Sequence, residues 1–234
     1  MARDGFEVVV STPATVAENV ALDEEMTKAA ASSGCSTLRL WWAGAPTVVI
    51  GRSEIPEVVA NLDACHGLGI EVIRRATGGG TVLQMPGVLN YSITTPAPSL
   101  FDIRRTFAVG ARYLIRVLAE FGLEGMQRGI SDVAVGDLKV SGNAMAKRWG
   151  GLLLHGTLLY DVDLDLVETC LRHPPREPDY RAGRGHRQFI TTLKALGVTA
   201  SDVDLERVAA EVARQMAEAG ELRLPGGSGT GEPG

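Results

Sequence analysis

Residues 74–94 read Arg-Arg-Ala-Thr-Gly-Gly-Gly-Thr-Val-Leu-Gln-Met-Pro-Gly-Val-Leu-Asn-Tyr-Ser-Ile-Thr. An extended run just upstream, carrying Ile70, Val72 and Ile73, delivers two arginines and then Gly78, Gly79 and Gly80. Three successive residues without a Cβ let the backbone come close to a ligand, and the arginines beside them supply fixed positive charge. Phosphate and carboxylate groups are held by that chemistry. A glycine cluster between apolar residues also makes a plain turn between strands, so the reading depends on what else the chain contains.

A second segment completes the pattern. Residues 129–144 read Gly-Ile-Ser-Asp-Val-Ala-Val-Gly-Asp-Leu-Lys-Val-Ser-Gly-Asn-Ala, and residues 152–161 read Leu-Leu-Leu-His-Gly-Thr-Leu-Leu-Tyr-Asp. Alternation through Asp132–Val135 and Lys139–Ser141 predicts a hairpin turning at Gly136 and Asp137. Lys139 stands on the returning strand, followed by small residues that leave room for a ligand, and a lysine there acts as a point charge on a carbonyl or phosphate. A solvated edge-strand lysine is the plainer alternative for such a residue in isolation.

Taken together, these motifs resemble the lipoate-protein ligase family, whose superfamily also holds biotin-protein ligases and octanoyltransferases. The resemblance runs from Glu18–Asp23 to Phe189–Leu193. It implies an α/β (α+β) domain over residues 1–224, with a largely antiparallel central sheet flanked by helices, and ATP and Mg²⁺ as cofactors with lipoate as substrate. It implies roles residue by residue: Lys139 as the catalytic residue, and Arg75, Gly78, Gly79, Gly80, Asn90, Asp132, Gly142, Asn143 and Ala144 as substrate and adenylate contacts. Asp132 is the only residue it places near Mg²⁺, and His155 and Gly156 support the site from the next strand. The implied partners are lipoyl-carrier domains of the glycine cleavage H protein or 2-oxoacid dehydrogenase E2 type.

Two departures leave alternatives open. Gln84-Met85 stands where many of these ligases carry His-Asp, and many carry an additional C-terminal domain where this chain has only a short segment after Leu224. Adenylation then requires a separate small accessory subunit, or the chain transfers only from a preformed adenylate or acyl donor. Octanoyltransferases work through a cysteine thioester, for which Cys170 is the candidate; Cys35 and Cys65 lie far from the motifs. Scattered cysteines without paired spacing argue against a disulfide scaffold or a metal site. A non-catalytic lipoyl-binding subunit is the remaining alternative, though both Lys139 and Arg75 are present.

An apolar acyl tunnel is expected near the motifs, with Trp41, Trp42, Val49, Ile50, Val72 and Leu83 as candidates or as ordinary core. The stretch 172–187 carries Arg172, Arg176, Arg181, Arg184 and Arg187 with His173 and His186, broken by prolines and glycines; it reads as a loop that closes over nucleotide, meets an acidic carrier, or merely connects. The formal net charge of −5 argues against nucleic acid. No apolar stretch is long enough to span a membrane and the first residues are unlike a signal peptide, so a cytoplasmic address is expected.

Helical spacing predicts helices near 14–31, 57–66, 103–121, 164–171, 186–196 and 203–219. Leu38–Ala43 and Thr47–Ile50 read as a strand pair joined around Gly44-Ala45-Pro46, and further strands lie near Thr81–Leu83 and Leu89–Thr94. The glycine- and proline-rich residues 225–234 read as a disordered tail.

Overall fold

A computed structural model describes residues 6–10 and 15–199; the predicted helix at 203–219 and the tail at 225–234 lie outside them. Strands are β1 (Phe6–Val10), β2 (Ser36–Trp42), β3 (Thr47–Ile50), β4 (Glu71–Arg74), β5 (Val82–Gln84), β6 (Val88–Pro96), β7 (Gly125–Arg128), β8 (Asp132–Val135), β9 (Leu138–Arg148) and β10 (Gly151–Leu159). Helices are α1 (Val16–Ser33), α2 (Pro56–Val59), α3 (Leu62–Gly67), α4 (Ile103–Glu120), α5 (Leu164–Cys170) and α6 (His186–Phe189). Seven strands form one sheet in the order β1-β2-β6-β10-β9-β8-β7, and β4-β3-β5 form a second. Apart from the parallel β1–β2 and β3–β4 pairs, the ladders are antiparallel, as expected.

Helix α4 covers one face of the large sheet. Its Val109, Leu114, Val117 and Leu118 pack on Leu89, Tyr91, Ile93, Leu152 and Leu154 in the main core. The opposite face receives α1 and the small sheet. Helix α1 starts at Thr15, whose hydroxyl accepts from the Glu18 amide while the Glu18 carboxylate accepts from the Thr15 amide, a reciprocal cap. Val16 and Ala30 are buried, but the residues between them on the buried stripe are Asn19, Asp23 and Thr27. A search for apolar periodicity misses that face, because its burial depends on a charge pair.

That pair is Asp23 with Arg39 of β2, whose guanidinium is 0% exposed and donates to Asp23 Oδ1 at 2.8 Å. Arg39 also donates to the Asn19 side chain and to the Asn19 carbonyl at 3.1 Å, and Ser92 Oγ donates to Asp23 Oδ1 at 2.6 Å. A buried charge is tolerable only with such saturation.

Three sequence expectations need correction. Strands β2 and β3 do not pair: β2 joins the large sheet beside β6, while β3 joins β4 and β5, so the Gly44–Pro46 link crosses between sheets instead of making a hairpin. The helix expected at 57–66 splits into α2 and α3, because Ala60 bridges to Leu171 and the Asn61 amide donates to the Cys170 carbonyl at 2.8 Å. The helix expected at 186–196 stops after Phe189. Ile190 instead runs extended beside Lys139, and the Thr191 amide donates to the Lys139 carbonyl at 2.9 Å.

Candidate active site

The placement of Lys139 turns on a bulge. Asp132 pairs with Gly142 and Val133 with Ser141, but Ala134 pairs with Lys139, so Val140 is an extra residue on β9. In a regular strand, residues 139 and 142 would face opposite sides. The extra residue puts Lys139 on the face of Asp132 and Gly142, while Val140 itself is buried in the core under α4. Lys139 Nζ then meets Asp132 Oδ1 at 2.8 Å, with the two side chains 25% and 9% exposed. Gly142 lies beneath the lysine: a Cβ there would sit 2.8 Å from Nζ and 2.9 Å from Cε.

The same face carries the glycine segment. Gly79 has φ +84°, in the left-handed region that favours glycine, and a Cβ built on it would lie 3.6 Å from Cβ of Ala144. The two motifs therefore meet, with the turn at 78–80 resting on β9 two residues beyond Gly142.

Arg75 holds that turn from inside. Its Nε donates to Thr77 Oγ1 at 2.9 Å, one terminal nitrogen to the Val49 carbonyl at 3.2 Å, and the other to the carbonyls of Gly78 and Gly80, each at 2.7 Å. Burial pulls its pKa down to about 10, opposed by Glu54. Most of its donors are thus spent on shaping the turn. Arg74 does similar work outside, donating to the carbonyls of Gly51, Arg52 and Glu54 at 2.8–2.9 Å.

His155 joins the turn to the buried pair. Its Nε2 lies 2.7 Å from Thr77 Oγ1 and its Nδ1 lies 3.8 Å from Asp23 Oδ2. A continuous line of contacts runs from Arg39 through Asp23, His155 and Thr77 to Arg75.

The remaining predicted residues separate by face. Asn90 is buried in a closed amide pair with Gln84, with N···O distances of 2.7 and 2.8 Å, and so ties the two sheets together. Asn143 has its side chain on the α4 side, opposite Ala144. There its Nδ2 donates to the Ser131 carbonyl at 2.6 Å and its Oδ1 accepts from the Tyr91 hydroxyl. Gly156 is the partner of both Asn143 and Tyr91, and a Cβ on it would collide with the Asn143 carboxamide. Lys139, Asp132, Gly142, Ala144, His155 and the 78–80 turn are brought together; the side chains of Asn90 and Asn143 act as structural pins.

Tyr180 was not visible in the sequence as part of this site. It comes from the arginine-rich segment, 48 residues along the chain from Asp132, and donates to Asp132 Oδ2 at 3.0 Å. The segment is far less free than its composition suggests. Arg172 donates to the Ala60 carbonyl at 3.0 Å, Arg184 reaches the carbonyls of Tyr180 and Asp137 at 2.8 and 3.0 Å, and Arg181 is 4% exposed.

The thiols offer little. Cys35 is exposed, and Cys65 and Cys170 are buried. They lie together, although their sequence spacing gave no sign of it: the Cys170 thiol is pushed up to about 11 by burial and by its neighbour Cys65. A buried, high-pKa thiol is a poor nucleophile. The acyl-tunnel candidates are spread over three apolar clusters: Trp41 and Val49 pack with α1, Ile50, Val72 and Leu83 lie in the cluster with α5, and Trp42 packs against the main core. Among the described residues, no group of three or more His, Cys, Asp or Glu could hold a metal ion, and no helix is long and apolar enough to cross a membrane.

A family model described as the lipoyl protein ligase A/B catalytic domain matches residues 15–217. Lipoate–protein ligase 1 of Staphylococcus aureus is 29% identical over 155 residues, covering 66% of this chain and 47% of that protein. The chain spans about half the length of the curated relatives it matches. Among solved structures, the bipartite lipoate protein ligase studied with its E2 lipoyl domain from Thermoplasma acidophilum superposes with a TM-score of 0.78 at 24% identity, over 91% of this chain and 82% of that one. A lipoate-protein ligase A bound with ATP gives a TM-score of 0.75 at 24% identity, over 91% and 83%. At those identities the two structures show a shared fold.

Proposed function

The chain belongs to the family of lipoyl protein ligase A/B catalytic domains, and from that premise we propose that it activates lipoate with ATP as lipoyl-adenylate and transfers the lipoyl group to a lysine of a carrier domain. The observation that carries the proposal is the bulge at Val140, which turns Lys139 onto the face where the glycine turn rests on Ala144. A ligase of this kind needs a fixed cation and backbone amides around an acyl-phosphate, and no nucleophilic side chain of its own.

In the transfer step the carrier amine attacks the acyl carbonyl, a C–N bond forms, the bond from the acyl carbon to the phosphate oxygen breaks, and AMP leaves as the amine loses its proton. Lys139 offsets charge growing on the carbonyl and phosphate oxygens. Asp132 holds the ammonium at one end, and Gly142 leaves space for its stem. Arg75 shapes the turn at 78–80 and adds its charge to the potential there, while Thr77 and His155 hold Arg75 in place.

Asp132 is the residue that would help hold a magnesium ion, and both of its oxygens already have partners. The fit is therefore to Mg²⁺ carried mainly by nucleotide phosphates and water, with one protein ligand; its chemistry would be neutralisation of phosphate charge. Carriers of the H-protein or E2 type are the proposed acceptors, and a separate small accessory subunit is the proposed partner for adenylation, supported by the bipartite Thermoplasma relative. The burial and raised pKa of Cys170 count against a thioester route.

Replacing Lys139 with alanine tests the assignment. Transfer from lipoyl-adenylate should fall by roughly two to three orders of magnitude while the melting temperature holds. Near-wild-type transfer would remove Lys139 from the mechanism.

A further inference from the structure

The arginine-rich segment 172–187 contributes an uncharged side chain to the site. Tyr180 lies in a 3-10 turn at Asp179–Arg181, half-buried, with its hydroxyl 3.0 Å from Asp132 Oδ2. The other oxygen of the same carboxylate takes Lys139 Nζ at 2.8 Å. The Tyr180 ring is gripped by the Arg128 guanidinium, 5.0 Å from its centroid, and by Phe189, 5.0 Å away at 50°. Its backbone carbonyl accepts from Arg184, which also ties the turn to Asp137 of the hairpin. Burial, with the charge of Asp132 next, raises the phenol well above its ordinary value, so it stays a donor at neutral pH.

The geometry points to Tyr180 as a positioning residue for acyl transfer, fixing Lys139 through the far oxygen of Asp132. The assignment rests on the function proposed above. A carboxylate turns easily about its terminal torsion, and a lysine stem has several rotatable bonds. With Lys139 as its only side-chain partner, Asp132 could swing together with the ammonium as a unit. The tyrosine hydroxyl anchors the pair to a segment held by arginine contacts on both sides of it. The arginine-rich composition thus serves the site indirectly, by holding the tyrosine.

Tyr180→Phe removes the hydroxyl and keeps the ring contacts with Arg128 and Phe189. With synthetic lipoyl-adenylate and a carrier domain, kcat should fall about five- to tenfold with KM for the carrier within about twofold, because position is lost and binding is not. Asp132→Asn breaks the same link, so the double variant should be no slower than Asp132→Asn alone. A readout independent of catalysis is the labelling of Lys139 by an amine-reactive reagent, followed by peptide mass spectrometry. It should rise several-fold in Tyr180→Phe, and adding Tyr180→Phe to Asp132→Asn should raise it no further. Wild-type kcat with unchanged labelling, or rate losses that multiply in the double variant, would overturn the assignment. If the wild-type chain transfers nothing, the functional reading fails instead, and the labelling comparison still decides whether Tyr180 positions the lysine.

Discussion

Replacing Gly142 with alanine should disable the site while sparing the fold. The new Cβ would lie 2.8 Å from Lys139 Nζ and 2.9 Å from Cε, and the next nearest atom, Asp132 Oδ1, is 3.9 Å away. Comfortable non-bonded separation is about 3.5–4.0 Å, so the end of the lysine must retreat by roughly 1 Å. A displacement of that size at a reacting centre is worth on the order of a hundredfold in rate, or about 2.7 kcal/mol of barrier. The fold gives way cheaply, because the atoms in the way are the tip of a flexible side chain, and alanine restricts the unfolded chain by roughly 0.4–1 kcal/mol in favour of folding. Single-turnover transfer from lipoyl-adenylate, with urea denaturation of the same sample, separates the two effects. Transfer within twofold of wild type would refute the claim that the bulge exists to place the ammonium. A rate loss matched by a loss of stability would assign Gly142 to the fold instead.

Other outcomes follow from the same geometry. Cys170→Ala should retain transfer, since its thiol is buried and its pKa lies near 11; an acyl thioester trapped on Cys170 would reverse that conclusion. Asp23→Ala should cost about 3–5 kcal/mol in urea denaturation, because it leaves the fully buried Arg39 guanidinium without its carboxylate; a loss below about 1 kcal/mol would mean that the remaining partners suffice. Burial holds the His186 imidazole below its usual 6.5, opposed first by the Arg172 carbonyl that lies 3.2 Å from it. As the pH falls through 6.5 the unfolded chain takes up this proton first, so the native state loses stability towards acid. His186→Gln should flatten the slope of stability against pH below 6.5, measured by chemical denaturation at several pH values; an unchanged slope would refute the role.

The parts of the site legible in the sequence are those coded locally. Gly78–Gly80, the hairpin at Asp132–Ser141 and the His155-Gly156 strand each announce themselves within a few residues, and their order carries the family resemblance. Register and distant contacts were not legible. The extra residue Val140 can be recognised only from its pairing with β8, yet it decides which way Lys139 points. Asn143 sits in the same motif as Gly142 and Ala144, but strand alternation sends its side chain to the other face. Asp23 was hidden because an acidic residue on a helix normally marks the solvent side, and only Arg39 on a separate strand reverses that. Tyr180 was hidden among arginines whose charge suggested a surface, whereas several of them are spent on backbone carbonyls. The β2–β3 link failed as a hairpin because a local turn signal does not say which sheet each strand will join.

In the proposed mechanism, this face transfers a lipoyl group from an adenylate without a covalent enzyme intermediate. Its most direct test is mass spectrometry of a carrier domain incubated with the chain in three reactions: with synthetic lipoyl-adenylate; with lipoate, ATP and Mg²⁺; and with an octanoyl-carrier donor in the absence of ATP. The adenylate reaction should place a single lipoyl group on a carrier lysine as an amide, at a rate that collapses in Lys139→Ala. A carrier left unmodified by the adenylate yet acylated from the octanoyl donor would rule that mechanism out.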